Sequence, residues 1–304
     1  MTESVPLIID TDPGVDDAIA IMLAIASGIP VRALTTVYGN GSIEETTRNA
    51  LVILDLLGVR IPIYQGASRP LSKTPRRAEA HGEGALGGFA MGQLSQWVEQ
   101  ESASSFLEDA LEREAGLQIA ALGPLTNIAD LVKNSSHLLS RVSRLIIIGG
   151  VFGEPGNVTP FAEFNAFNDP DALGLVLESS CSKILIPINI CRKVVFQRED
   201  FNILSRGKLR EGVERIVDAY IGYYADQGFR GGVMYDLLAI AYALCPDLFS
   251  VAPQCVRIDV SNGPRRGMVW AVEGEAPNCL VVQEVDAARV SELFLGSLAR
   301  LSRL

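Results

Sequence analysis

Short runs of β-branched and aliphatic residues alternate with helical patterns through the first two thirds of this chain, and that rhythm restricts its fold more than any other feature. Val5 to Asp10 reads as a buried strand, Asp17 to Ala26 as a helix, and Val31 to Val37 as the next strand. Ser42-Ile43-Glu44-Glu45 has the spacing of a capping box, opening a helix that stops before Gly58. Strand Ile61 to Tyr64 follows, and a second box, Ser105 to Glu108, opens a helix closed by Gly116. Next come strand Gln118 to Leu122, a helix from Thr126, and strand Arg144 to Ile148. Asp169-Pro170-Asp171 supplies a cap and an N1 proline, and Lys183 to Ile190 reads as a further strand. Strands separated by helices pair in parallel, so the pattern predicts an α/β fold with helices on both faces of a mostly parallel sheet.

Beyond about residue 195 the rhythm changes. Helical patterns cover Glu211 to Ala225 and Met234 to Leu244. Val256 to Val260, Ser261 to Gly267 and Met268 to Val272 read as strand, turn and strand, Leu280 to Gln283 as another strand, and the chain is helical from Asp286. No linker rich in Pro, Gly or Ser interrupts residues 1–304, which predicts a single domain. The least regular stretch, Lys73 to Gly92, carries Arg76, Arg77, His81 and five glycines, and long loops in compact domains are often functional.

Composition narrows the class of partner. The 36 acidic residues exceed the 26 Lys and Arg, giving a net charge of −10, which argues against nucleic acid. The five cysteines are scattered and the two histidines too few for an imidazole-rich zinc site. Met1 to Ser4 lacks a basic, then apolar, leader pattern, and the apolar run Ala18 to Ala26 is about half the length that spans a bilayer. These features predict a cytoplasmic protein with reduced thiols and no membrane association.

The most informative segment is Leu7-Ile8-Ile9-Asp10-Thr11-Asp12-Pro13-Gly14-Val15-Asp16-Asp17-Ala18. Strand side chains alternate, so Asp10 and Asp12 point the same way, while Asp16 and Asp17 open the next helix. Helix capping explains Asp16 and Asp17 but not two acids at the end of an apolar strand. Four carboxylates within eight residues repel one another unless protons or a cation relieve them. With all-oxygen donors, the fitting cation is a hard divalent ion, calcium or magnesium.

The run Asp10 to Ala18 resembles the signature of the inosine-uridine-preferring nucleoside hydrolases. The resemblance continues, in order, through Thr35 to Asn40, His81-Gly82-Glu83, Gly123 to Ala129, Gly149-Gly150, Ala162-Glu163-Phe164-Asn165 and Asp236. It implies a single α/β domain with a Rossmann-like, mostly parallel sheet, and hydrolysis of ribonucleosides to free base and ribose. It also implies a calcium ion held by Asp12, Asp17, Asp236 and the Leu122 carbonyl, with Asp12 as general base for a water on that ion. Asp16, Asn40, Asn157, Glu163 and Asn165 would hold the ribose, and His81 would lie on a mobile loop over the pocket. A homodimer or homotetramer is the assembly implied.

The sequence departs from the family where the base leaves. Many members carry a histidine before the final aspartate as the proposed acid; this chain has Tyr235, whose hydroxyl could donate or whose ring could stack on the base. His81, Tyr223 and Tyr224 are further candidate donors. Asn189-Ile190-Cys191-Arg192-Lys193 stands where several relatives have an Asp-Val-Thr-His-like stretch. Two alternatives therefore stay open: a hydrolase of a modified or non-nucleoside ribosyl compound, and a nucleoside-binding protein with weak catalysis. A haloacid-dehalogenase-type phosphotransferase is disfavoured because the chain contains no Gly-Asp dipeptide.

Overall fold

The computed structural model describes residues 5–301; the leader reading at Met1 to Ser4 falls outside them. The strands are β1 (Leu7–Thr11), β2 (Val31–Thr36), β3 (Ile63–Gln65), β4 (Gln118–Ala121), β5 (Arg144–Ile148), β6 (Lys183–Ile186), β7 (Val195–Phe196), β8 (Gly232–Val233), β9 (Phe249–Ile258), β10 (Val269–Val272) and β11 (Cys279–Val285). The helices are α1 (Val15–Ser27), α2 (Ile43–Leu57), α3 (Ala103–Arg113), α4 (Thr126–Ser135), α5 (Phe164–Asn168), α6 (Pro170–Glu178), α7 (Ile188–Cys191), α8 (Lys208–Asp226), α9 (Leu237–Leu244) and α10 (Ala287–Leu301).

Nine strands form one sheet in the order β10-β9-β11-β6-β5-β4-β1-β2-β3, while β7 and β8 pair separately. From β3 across to β11 every pairing is parallel; β9 and β10 close the edge antiparallel. Side chains of the central strands alternate between two cores. Leu7, Ile9, Ile146 and Ile148 pack with α1, α9 and α10, whereas Ile8, Ile119, Leu145 and Ile147 pack with α3, α4 and α6. Burial on both faces explains why these strands read as continuous apolar runs. The order β3-β2-β1-β4-β5-β6 reverses direction between β1 and β4, and open α/β sheets bind ligands outside the carboxyl ends at such a switch point.

The α2 capping box is present: Ser42 Oγ accepts from Glu45 N at 3.3 Å, Glu45 Oε2 accepts from Ser42 N at 2.8 Å, and Gly58 closes the helix left-handed. Asp169 caps α6, accepting from Ala172 N at 3.1 Å. Three expectations are corrected. Helix α3 begins a turn earlier than Ser105 and is capped by Ser102, which accepts the Ser105 N–H at 3.2 Å; it ends at Arg113, before Gly116. The strand expected to reach Ile190 stops at Ile186, because Pro187 has no N–H for the ladder, and α7 follows. Met234 to Asp236 are not helical; they link β8 to α9, which starts at Leu237.

Candidate active site

The site is built where β1 and β4 end. Strand β1 delivers Asp10 and Asp12 on one face, and Pro13-Gly14 turns the chain into α1, whose first turn carries Asp16 and Asp17. Helix α9 packs against α1, which sets Asp236, just ahead of α9, beside that turn. One carboxylate oxygen from each of Asp16, Asp17 and Asp236 lies within 4.8 Å of the others, and all three residues are buried. The sequence implied Asp12 rather than Asp16 in this group. Asp12 lines the same cavity, with Oδ2 accepting the Asn40 N–H at 2.8 Å.

Hydrogen bonds hold these acids in place. Asp17 accepts from Gly14 N at 2.9 Å, from Asn40 Nδ2 at 3.1 Å and from the Thr11 hydroxyl. Asp10 Oδ1 accepts from Thr35 Oγ1 at 2.6 Å and Asn127 Nδ2 at 2.7 Å, which fits a supporting role behind Asp12. Asp16 Oδ1 is buried without a hydrogen bond among the described residues.

Electrostatics make the cluster unfavourable as it stands. Burial and the Asp17 charge push the Asp12 carboxyl well above its ordinary range. The same two causes raise Asp16 to about 8. Burial, then the charges of Asp16, Asp17 and Asp12, raises Asp236 strongly. Oxygen donors with an unpartnered Asp16 oxygen among them fit a hard divalent cation, which would favour the ionised form of every one. Leu122 lines the cavity, and its carbonyl accepts from Asn165 Nδ2 at 2.6 Å, leaving a second lone pair.

The opposite wall carries the expected sugar-binding groups. Glu163 caps α5, its carboxylate accepting from Gly150 N at 2.9 Å, Asn165 N at 2.8 Å and Ala166 N at 3.0 Å. Asn165 is anchored by the Leu122 and Ile148 carbonyls, and Asn157 lines the cavity from the loop after β5. Of the residues singled out from sequence, Asp12, Asp16, Asn40, His81, Leu122, Asn157, Glu163, Asn165, Tyr235 and Asp236 line one cavity, and fully buried Asp17 lies against it.

His81 is tucked against the start of α1, 7% exposed. Its Nδ1 accepts the Val15 N–H at 3.1 Å and lies 3.7 Å from Asp16 Oδ1. Burial lowers its pKa to about 3, so the ring is neutral and the Asp16 contact is not an ion pair. Tyr235 is buried, which raises its hydroxyl to about 12.

Of the further candidate donors, Tyr223 and Tyr224 line the cavity as well, and Tyr220, which sequence reasoning missed, joins them. Tyr220 and Tyr224 stand one turn apart on α8 and continue to Tyr235, with ring centroids 4.8 Å and 6.0 Å apart; Tyr220 also sits 5.2 Å from His81. The i, i+4 spacing of the two tyrosines was readable, but not which surface they face. Ile188, Phe229, Arg76 and Arg77 also line the cavity.

Comparison with known proteins agrees with this geometry. A profile described as inosine-uridine preferring nucleoside hydrolase matches residues 7–292. The chain is 34% identical over 305 residues to a non-specific ribonucleoside hydrolase, RihC, of Escherichia fergusonii, covering 98% of this chain and 99% of that one. It is 35% identical over 266 residues to uridine nucleosidase 1 of Arabidopsis thaliana, covering 84% and 79%. Among solved structures, a purine-preferring ribonucleoside hydrolase from Gardnerella vaginalis superposes with a TM-score of 0.92 at 27% identity, covering 98% and 99%. With matched sequence running nearly end to end and the acidic residues gathered at the sheet's switch point, this chain is an enzyme of the inosine-uridine preferring nucleoside hydrolase family.

Proposed function

We propose that the enzyme hydrolyses the N-glycosidic bond of ribonucleosides to free base and ribose, with Asp12 as general base and calcium as its cation. The observation that carries this reading is the buried group of Asp12, Asp16, Asp17 and Asp236 at the carboxyl ends of β1 and β4, one oxygen of it unpartnered. Asp12, Asp17, Asp236 and the Leu122 carbonyl would hold the ion, with Asp16 beside them. When bound, the cation would neutralise these acids, engage vicinal hydroxyls of the sugar and acidify a water.

The chain's own residues account for the remainder. Asp12, fixed through Asn40 N, takes the proton from the attacking water. Asp16, Asn40, Asn157, Glu163 and Asn165 hold the ribose; Glu163 and its neighbours favour the positive charge that grows on the sugar as the bond to the base stretches. Buried Tyr235 faces the departing base with a hydroxyl too weakly acidic to ionise near neutrality, suited to donating a hydrogen bond. Neutral His81 at the cavity wall, with Nδ1 accepting the Val15 N–H, has its proton on Nε2 and is a second donor. Family resemblance supports a homodimer or homotetramer; no helix among the described residues is long and apolar enough to cross a membrane.

The test is release of ribose from inosine, adenosine, guanosine, uridine, cytidine and 2′-deoxyinosine, with and without a chelator. The proposal predicts chelator-sensitive release from ribosides and little from the deoxyriboside. No release from any of them would overturn it.

A further inference from the structure

Asn49 is buried on α2 and does not itself line the cavity. Both protons of its carboxamide go to carbonyls from two different segments: Nδ2 donates to Pro13 O at 2.9 Å and to Gly84 O at 2.8 Å. Pro13 belongs to the turn between Asp12 and Asp16, and Gly84 to the loop that carries His81. One helical turn earlier on the same face of α2, Glu45 grips that loop too, its two oxygens accepting from Arg77 Nη1 and Nη2 at 2.9 Å each. Loop and turn also meet directly, where His81 Nδ1 accepts the Val15 N–H at 3.1 Å. A methyl group on Gly14 would lie 2.6 Å from His81 Nδ1, so no side chain fits between them.

Hydrogen-bond polarity makes Asn49 hard to replace. Two carbonyls brought to one point need a neutral group with two protons, which a primary amide supplies. A hydroxyl can serve only one of them, and a carboxylate repels both. Without a donor, the Pro13 carbonyl is left buried and unpartnered, which favours a displaced turn.

We propose that Asn49 is a positioning residue for the hydrolysis: it fixes the turn that aims Asp12 and Asp16 into the cavity in register with the loop that brings His81 to it. The inference deepens the proposed nucleoside hydrolysis and rests on it.

The test follows hydrolysis of uridine and inosine together with amide hydrogen exchange in the full-length protein. Asn49→Ala is expected to lower kcat/KM about 10- to 100-fold, the scale of buried carbonyls left without a donor, through a higher KM as well as a lower kcat. A smaller folded fraction would lower kcat alone. Ile53→Ala, which opens a cavity in the core under the same helix, should lower Tm at least as far and leave KM and kcat as in the wild type. Asn49→Ser, milder for folding and with one proton to give, recovers part of the loss; Asn49→Asp, of the same size but without a donor, recovers none. In a His81→Ala background Asn49→Ala is expected to cost less than in the wild type, because part of its effect passes through that loop. Val15 supplies a readout independent of turnover. As the first residue of α1 its N–H has no helical acceptor, so its protection reports the seating of His81. Asn49→Ala and Asn49→Ser should speed exchange there, and Ile53→Ala should not. Unchanged KM in the folded Asn49 variants, or Val15 exchange no faster than in Ile53→Ala, would overturn the inference while leaving nucleoside hydrolysis standing. A wild-type protein inert to every nucleoside would overturn both.

Discussion

At the scale of single residues, the account turns on carboxylates placed where ionisation is unfavourable. Asp12→Asn keeps an oxygen to accept the Asn40 N–H, so the fold is expected to survive while turnover falls at least about 100-fold, as for loss of a general base; steady-state ribose release with a parallel melting curve checks both. The same placement sets a pH dependence. In the folded, metal-free chain Asp10 and Asp16 keep their protons to about 6 and about 8, mainly through burial, whereas unfolded aspartates release theirs near about 3.9. Across that window the folded state binds more protons, so stability falls as pH rises. Thermal melts in chelator should therefore show Tm declining from about pH 5 to about pH 8, and saturating calcium should remove the part of the decline set by Asp16. A Tm that rises with pH in chelator would contradict the assignment. Asp10 to Asp17 was legible in sequence because four acids crowd one strand end and helix start. That Asp16, rather than Asp12, completes the tightest group was not, because it depends on how α1 meets α9.

At the scale of elements, the loops that end the parallel strands hold the acids by close approach. Gly123 follows β4, and a methyl group there would lie 2.5 Å from Asp12 Oδ1 and 2.9 Å from Val37 Cγ1. A methyl on Gly39 would also collide with the Asp12 carboxylate. Gly123→Ala is thus expected to displace Asp12 and cut turnover about as deeply as Asp12→Asn, with stability reduced by about 1–3 kcal/mol for the overpacking. Activity near that of the wild type would show that Asp12 tolerates the shift. Elements were readable where local chemistry decides them, as in the Ser42 and Glu45 box and the Asp169-Pro170 start. They were misread where signals competed. Ser102 and Ser105 both suit a cap, and the apolar run from Lys183 hides the break that Pro187 imposes.

At the scale of the molecule, the parallel order and its reversal between β1 and β4 place the acidic strand end, the Glu163 helix start and Asp236 around one cavity. The alternation of strands and helices foretold the sheet's parallel character. Tyr224 and Tyr235 were named as candidates, but their row with Tyr220 was not foretold, since it depends on how α8 meets the start of α9, a contact with no local signature. The central claim is that a cation seated among these acids both stabilises the fold and enables hydrolysis. The most direct measurement is a calcium titration of chelator-stripped protein, following Tm and ribose release from a ribonucleoside together. A site occupied only in the folded state should stabilise it by about 2.7 kcal/mol at a hundredfold excess over Kd. The account predicts that both signals rise on calcium addition and share one affinity, and that Asp236→Asn loses both responses. Full activity in the stripped protein, or a rise in Tm without ribose release, would contradict it.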